Sequence, residues 1–115
     1  MYEESILISI KQMLGPGAEH EHFDPEITMH INSVFTTLTQ LGVGPSKGFF
    51  ITDRTAVWSD FISDIEKLHA VKTYVYLKVR LVFDPPSSSA VIAEIKEQIK
   101  ELEWRLNVAV ETTES

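Results

Sequence analysis

The clearest pattern of apolar and polar positions lies near the C-terminal end of the chain. Apolar side chains recur there at alternating steps of three and four residues, which places them on one face of a helix: Ile92, Ile95, Ile99, Leu102 and Leu106. Most positions between them are polar or charged. The pattern predicts an amphipathic helix, and Ser88 or Ser89 can cap it by accepting a hydrogen bond from a free backbone N–H group.

A rigid break precedes this helix. Asp84, Pro85 and Pro86 follow one another, and a proline lacks the backbone N–H group that a helix interior needs. Pro85 also pushes the backbone of Asp84 out of the α region. These three residues are therefore predicted to end the preceding element.

That preceding segment, residues 68–83, fits two periodicities. Its second half alternates apolar residues with polar or aromatic ones, as in a half-buried strand, and valine and tyrosine favour strands. A helix would instead align another set on one face: Leu68, Val71, Val75, Val79 and Val82. A length of about 16 residues exceeds the usual strand of about 5–6, and a lone strand would have no sheet to join. We therefore predict a helix.

Helix signals also occur in the N-terminal half. Residues 2–14 carry apolar side chains at helical spacing and are followed by Gly15 and Pro16, which end a helix. Asp24 as the N-cap and Pro25 in the first turn predict the start of a second helix. Its predicted buried face consists of Ile27, Ile31, Val34, Phe35, Leu38 and Leu41.

A third helix is predicted to begin at Asp53 or Thr55. Its apolar residues are Val57, Trp58, Phe61, Ile62 and Ile65. With the segments above, the sequence predicts an all-α fold, a single small bundle of four to five helices over residues 1–110. Residues 111–115 are all polar and are predicted to form a disordered C-terminal tail.

Composition narrows the classes of function. The chain has 115 residues, which suits one domain. Its 10 lysines and arginines are outnumbered by 17 aspartates and glutamates, so the net charge is −7 and no basic face for binding phosphates is predicted. The chain has no cysteine, and no apolar run approaches the roughly 20 residues that span a bilayer. We therefore expect no thiolate chemistry, no membrane insertion and no dedicated nucleic-acid binding.

One cluster contains residue types that bind metals. His20, Glu21 and His22, with Asp24 close by, provide imidazole and carboxylate groups of the kind that zinc binds. His-x-His spacing places both rings on one side only in an extended strand, whereas this segment is a predicted polar loop. We interpret it as a solvated loop without a metal. Since no serine, histidine and acid follow a catalytic order either, we predict no catalytic residue, no cofactor and no enzymatic activity.

The connection from residue 42 to residue 52 contains three glycines and two adjacent phenylalanines. Glycines lower the cost of alternative backbone shapes, and exposed aromatic rings need a partner to cover them. We therefore expect this loop to be mobile in the isolated protein and to contact a neighbour on assembly, through Lys47, Phe49, Phe50 and Ile51. The alternative is that both rings fold back onto the bundle.

Several short runs occur in order along the chain: IKQMLG, FDPEI, QLGVGP, KTYVYLKVRLVFDPP and ELEWRLN. In these runs the sequence resembles small head–tail connector proteins, also called adaptor or head-completion proteins, of long-tailed bacteriophages and prophages. The resemblance implies a small helical structural protein that assembles as a ring of identical subunits beneath the portal of a filled capsid. Such a ring would extend the DNA channel and dock the tail.

The resemblance also implies partners and a location. The partners would be the identical subunits of the ring, the portal protein and tail-side proteins, while DNA passes without specific binding. The protein would be present in the bacterial host cytoplasm during assembly and then in the virion, at the head–tail junction. Two other classes remain open: a small acidic regulatory or binding protein, similar to an anti-repressor, without ring assembly, and a metal-dependent enzyme that uses His20, His22 and Asp24.

Overall fold

The computed structural model describes residues 4–114, and the side chains of residues 4–108 among them. This part of the chain contains no strand, and its α-helices are α1 (Ile6–Leu14), α2 (Asp24–Gln40), α3 (Trp58–Phe61), α4 (Ile65–Phe83) and α5 (Ser89–Glu114). Two short 3-10 turns, Pro16–Ala18 and Glu21–Phe23, connect α1 to α2. The predicted small all-α bundle is confirmed.

Helix α4 is the centre of the bundle. It packs against α1, α2 and α5, so several partners cover its circumference. Its buried side chains are Val71, Tyr74, Val75, Leu77 and Val79. The helical interpretation of this segment is therefore confirmed. The strand-like alternation arises because a helix enclosed on several sides buries more than one stripe of residues.

The first helix starts later than the sequence predicts. It begins at Ile6 rather than at residue 2, because the chain before it pairs with a distant segment. The Ile6 N–H group donates to the Ala56 carbonyl at 3.0 Å, and the Trp58 N–H group donates to the Glu4 carbonyl at 3.2 Å. These bonds form an isolated antiparallel bridge and use backbone groups that an additional helical turn would need. Residues 2 and 3 lie outside the described part of the chain.

The predicted N-cap of the second helix is wrong by one residue. Phe23 occupies the cap position, and Asp24 is already the first helical residue. The Asp24 carboxylate accepts hydrogen bonds from the side chains of Lys11 and Arg54 instead of capping the helix. Pro25 lies in the first turn, where its missing N–H group costs no helical hydrogen bond.

The third helix is shorter than predicted and begins later. It contains 4 residues, and Asp53 starts a turn rather than a helix, because its carboxylate accepts from the Thr55 N–H group at 2.8 Å and from the Thr55 hydroxyl at 2.5 Å. These bonds lower the pKa of the exposed Asp53 carboxyl below its usual value. Ile65 belongs to α4 and not to the third helix, since the Asp64 carboxylate caps a new helix by accepting from two backbone N–H groups of its first turn.

The proline pair lies between two long helices. Asp84, Pro85 and Pro86 separate the end of α4 from the start of α5. At the start of α5 the Ser88 hydroxyl accepts a hydrogen bond from the Val91 N–H group at 3.3 Å. The break therefore allows α5 to turn back along α4, against which it packs.

Helix α5 carries the predicted apolar stripe. Ile95, Ile99 and Leu106 are buried, and Leu102 packs against the core that contains them. The backbone of residues 111–114 continues α5, so the helix extends past the predicted domain end at residue 110. Disorder of the tail stays a prediction.

Candidate subunit interface

The loop between α2 and α3 contains all the predicted interface residues, and its first part is packed onto the bundle. Val43 is 3% exposed, and its N–H group donates to the Leu38 carbonyl at 2.9 Å. Gly44 has a φ of +85°, and a Cβ atom added there would lie 2.4 Å from the Phe61 ring. Only glycine combines this backbone angle with this close approach, so the start of the loop packs tightly against Phe61.

The second part of the loop is held by a side chain of α2. The Asn32 amide nitrogen donates to the Ile51 carbonyl at 2.9 Å, and the Ile51 N–H group donates to the Asn32 amide oxygen at 2.7 Å. One side chain thus satisfies both backbone polar groups of Ile51, as a neighbouring strand would. The side chain of Ile51 is 2% exposed.

Phe49 and Phe50 have opposite environments. The Phe49 ring packs edge-on against Phe35, with ring centroids 5.1 Å apart, and its centroid lies 5.3 Å from that of Phe61. Phe50 is 70% exposed. Each of the two alternatives, packing onto the bundle and contact with a neighbour, therefore fits one ring. Phe49 folds back onto the bundle, and Phe50 is accessible to another molecule.

The predicted interface residues separate accordingly. Lys47 and Phe50 are exposed and remain candidates for contact with a partner. Phe49 packs against the core, and Ile51 is part of it. The side chain of Ile51 is buried in the folded subunit, so its interface role stays a prediction that the accessible residues Lys47 and Phe50 support better. The expected mobility stays a prediction, restricted by these contacts to the turn between Gly44 and Gly48.

A shallow groove runs between α2 and this loop. It has a volume of about 340 Å³, and we name it the Phe50 groove after the exposed ring at its edge. Its α2 wall is polar and uncharged, and its loop wall contains one lysine. The lining residues are Asn32, Thr36, Thr39, Gln40, Lys47, Gly48, Phe49 and Phe50.

A network of charged side chains lies on another side of the bundle. Lys11 is 5% exposed, and its ammonium group donates to the Asp24 carboxylate at 2.5 Å and to the Glu19 carbonyl at 3.0 Å. The Arg54 guanidinium donates to the same carboxylate at 2.9 Å and 3.1 Å. The network joins α1, α2 and the loop before α3. Its charges are paired with one another, as buried charges need to be.

This pairing changes the titration of Asp24. Burial alone raises the pKa of its carboxyl, but the hydrogen bonds and charges of Lys11 and Arg54 have the larger combined effect, so the pKa lies below its usual value. The carboxylate is therefore held in its charged form and directed at two cations. It serves the packing of three segments rather than metal binding.

The histidine cluster does not form a metal site in the part of the chain that the structure describes. His20 and His22 are exposed, with ring centroids 5.5 Å apart, and Asp24 is bonded to Lys11 and Arg54. Among the described residues, no group of three histidine or acidic side chains could hold a metal ion. A solvated segment is the simpler interpretation of His20 and His22.

One known family matches this chain over most of its length. A sequence model of the family described as "Phage connector protein" matches residues 6–113, which is most of the chain. The chain belongs to this family. Searches of curated proteins and of solved structures find no match to this connector. No helix in its described residues is both long enough and apolar enough to cross a membrane.

The connector exposes a second aromatic side chain, on the outer side of α5. Trp104 is 67% exposed, and it lies at one end of a shallow depression. We name this surface the Trp104 face; its residues are Glu94, Glu97, Gln98, Lys100, Glu101 and Trp104. From the sequence alone, Trp104 is expected to be a core or half-buried packing residue, and that expectation is wrong because its side chain is 67% exposed. The available signal was that Trp104 lies off the apolar stripe of its helix.

One polar contact fixes the orientation of this face. The Tyr74 hydroxyl on α4 donates to the Glu103 carboxylate on α5 at 2.7 Å. Burial and the neighbouring carboxylate raise the pKa of the Tyr74 hydroxyl far above its usual value. The bond and the buried side chains of Ile99 and Leu106 lie on the side of α5 that meets the bundle, and Trp104 lies on the outside.

Proposed function

We propose that this phage connector protein is a structural subunit that assembles as a ring under the portal. The ring extends the DNA channel and docks the tail, so that a filled capsid becomes a complete head. The observation that carries the proposal is the match of the connector family to residues 6–113. The partners are identical subunits, the portal protein and tail-side proteins.

Two exposed aromatic surfaces support the ring. A subunit in a cyclic assembly contacts two neighbours and therefore needs two different surfaces. The Phe50 groove and the Trp104 face are such a pair, since one lies between α2 and its following loop and the other on the outer side of α5. Large exposed aromatic side chains are the residue type that interfaces bury.

Charge supports the passage of DNA without specific binding. The chain carries a net charge of −7, and a protein that grips DNA needs lysines and arginines to replace the counterions of the phosphates. Several basic side chains in the described part of the chain already form ion pairs with its acidic groups, among them Lys11, Arg54, Lys72, Lys100 and Arg105. Acidic walls would repel the DNA backbone, which suits a channel through which DNA moves.

The role is proposed to be non-enzymatic. The buried polar side chains that the structure describes serve packing: Lys11 bonds to Asp24, and Ser9 accepts a hydrogen bond from the Trp58 indole at 2.8 Å. A connector performs its task through surfaces, and these are the features that the fold leaves accessible. The protein would be present in the host cytoplasm during assembly and then at the head–tail junction of the virion.

Deletion of the gene from its phage tests the proposal. The mutant should produce heads that package DNA but leak it or lack tails, and expression of the protein in trans should restore tailed particles. Electron microscopy and plaque counts measure both outcomes. Tailed, infectious particles from the deletion phage would contradict the connector role and would favour the small acidic regulatory protein instead.

A further inference from the structure

The outer side of α5 carries an aromatic side chain that the subunit itself leaves uncovered. Trp104 is 67% exposed, and Glu101 and Glu97 precede it by three and seven residues, so the three side chains lie on one side of the helix. Tryptophan has a large apolar ring and is enriched among the residues that dominate binding energy at interfaces. The Trp104 face therefore has the properties of one half of a protein contact.

The Phe50 groove has the properties of the other half. Its volume of about 340 Å³ is that of a small ligand pocket, which is sufficient for one aromatic side chain. Phe50 borders it with a ring that is 70% exposed. Aromatic rings attract each other edge-to-face or offset-stacked, so this ring offers a partner to an incoming tryptophan.

The charges on the Trp104 face and the Phe50 groove favour one of the three possible contacts between two copies of the chain. Three carboxylates and one ammonium group line the Trp104 face, while Lys47 is the one charged side chain among the described residues that line the groove. A contact of groove with groove would bring two copies of Lys47 together, and a contact of face with face would bring two sets of carboxylates together. A contact of groove with face pairs opposite charges and is the favourable combination.

We propose that neighbouring copies of this chain dock head to tail, with Trp104 of one subunit in the Phe50 groove of the next and Glu97 and Glu101 beside Lys47. The contact presupposes the ring assembly proposed above and uses the exposed rings of Trp104 and Phe50. Because the two surfaces differ, the contact is heterologous, and each subunit keeps one surface available for a further neighbour.

The parts of the two surfaces that carry the aromatic rings have contacts that order them before they meet. Asn32 fixes the loop that carries Phe50, and the Tyr74–Glu103 bond fixes the rotation of α5. Little ordering entropy is then lost on docking. In the free subunit Glu101 is bonded to Arg105 at 2.6 Å, and the Glu97 carboxylate lies 4.0 Å from the Lys100 ammonium group. Exposed ion pairs of this kind contribute so little that exchange for Lys47 costs little.

A mixing experiment tests whether the contact is heterologous. Trp104→Ala disables the face and Phe50→Ser disables the groove, while Met29→Ser, at an apolar position that is 58% exposed, serves as the control. Each disabled variant alone should associate at least about tenfold more weakly than the wild type in sedimentation at high concentration. A mixture of the two should form dimers and nothing larger, since each variant retains the surface that the other lacks.

Cross-linking tests the same contact in the assembled particle. The chain has no cysteine, so Lys47→Cys combined with Glu101→Cys introduces the only two thiols. Mild oxidation should convert this double variant into a ladder of cross-linked oligomers, both in solution and in purified phage particles. Lys47→Cys combined with Ile65→Cys is the control, because Ile65 is 70% exposed at the start of α4, lies outside the Trp104 face and should not cross-link.

Three results would overturn the docking surfaces. The first is self-association of Trp104→Ala or Phe50→Ser as strong as that of the wild type. The second is a mixture of the two variants that forms no dimer. The third is a particle that contains the double-cysteine connector but yields no cross-link, in which case the connector role stands and only its contact surfaces are wrong. Failure of the connector role is recognised separately, by tailed particles from the deletion phage.

Discussion

The side-chain amide of Asn32 pairs with the backbone of Ile51 in both directions, donating to its carbonyl at 2.9 Å and accepting from its N–H group at 2.7 Å. The two residues are 19 positions apart in the chain. This pair keeps Ile51 in the core while Phe50, the residue before it, stays on the surface. The geometry of the candidate interface thus depends on one amide group.

Replacement of Asn32 by alanine should lower the free energy of unfolding by about 2–4 kcal/mol, because both backbone groups of Ile51 lose their partner. Denaturation by urea measures the change. Asn107→Ala is the matched control: its amide makes a single 3.5 Å contact with the Leu41 carbonyl, and its loss should cost less than about 1 kcal/mol. Equal effects of the two substitutions would mean that the loop is not held by Asn32.

Two glycines of the loop provide a second test. Gly44→Ala should destabilise the fold by more than about 2 kcal/mol, since its φ of +85° is strained for alanine and the new Cβ atom would lie 2.4 Å from the Phe61 ring. Gly48→Ala has a similar φ of +94° but no atom within 4 Å, so only the backbone strain of about 1 kcal/mol applies. Thermal denaturation compares the two. A larger loss for Gly48→Ala would contradict the packing of Gly44 on Phe61.

The adjacent phenylalanines should respond in opposite ways. Phe49→Ser removes a ring packed against Phe35 and Phe61 and should cost about 3–5 kcal/mol of stability. Phe50→Ser should leave the melting temperature unchanged, because its ring is 70% exposed, and should reduce association. Circular dichroism and sedimentation measure the two properties. A large drop in melting temperature for Phe50→Ser would place its ring in the core.

The apolar stripe of α5 should contribute strongly to stability. Ile99 is 8% exposed, and Ile99→Ala should cost about 2–5 kcal/mol through lost burial and the cavity left behind. Val91→Ala, on the same helix but 45% exposed, should change stability by no more than about 0.5 kcal/mol. Urea denaturation of both variants measures the contrast. A loss below about 0.5 kcal/mol for Ile99→Ala would mean that α5 does not rest on α4.

The charge network predicts a dependence of stability on pH. The pKa of the Asp24 carboxyl is lower in the folded state than its usual value of 3.8, so the unfolded chain takes up the proton first as pH falls. The stabilisation is therefore complete above about pH 5 and is lost as pH falls through the lowered folded pKa.

Asp24→Asn should consequently destabilise the protein at pH 7 and differ less from the wild type at about pH 3. Urea denaturation at both pH values measures this difference. Glu26→Gln is the control, since Glu26 lies on the same turn and its side chain is half exposed. A cost of Asp24→Asn that is equal at both pH values would exclude Asp24 as the titrating group.

Local sequence patterns are sufficient to predict the helical nature of the chain and its main break. The stripe from Ile92 to Leu106 and the pair Pro85–Pro86 act through neighbours within a turn or two, so their effects are readable from spacing and from covalent geometry. The length of the segment around Val75 is also a local property, and it favours a helix because the segment is longer than a usual strand. Family membership also follows from sequence, as the match over residues 6–113 demonstrates.

The groups that form the candidate interface are selected by contacts between segments that are distant in the chain. Phe49 and Phe50 are adjacent and chemically identical, and their fates differ because Asn32 and the Phe35 ring approach this loop from α2. Asp24 has the sequence context of an N-cap, yet its carboxylate bonds to Arg54, which is 30 residues away. Such partners are brought together only by the folded chain, and a local pattern of residues contains no information about contacts between segments that are distant in sequence.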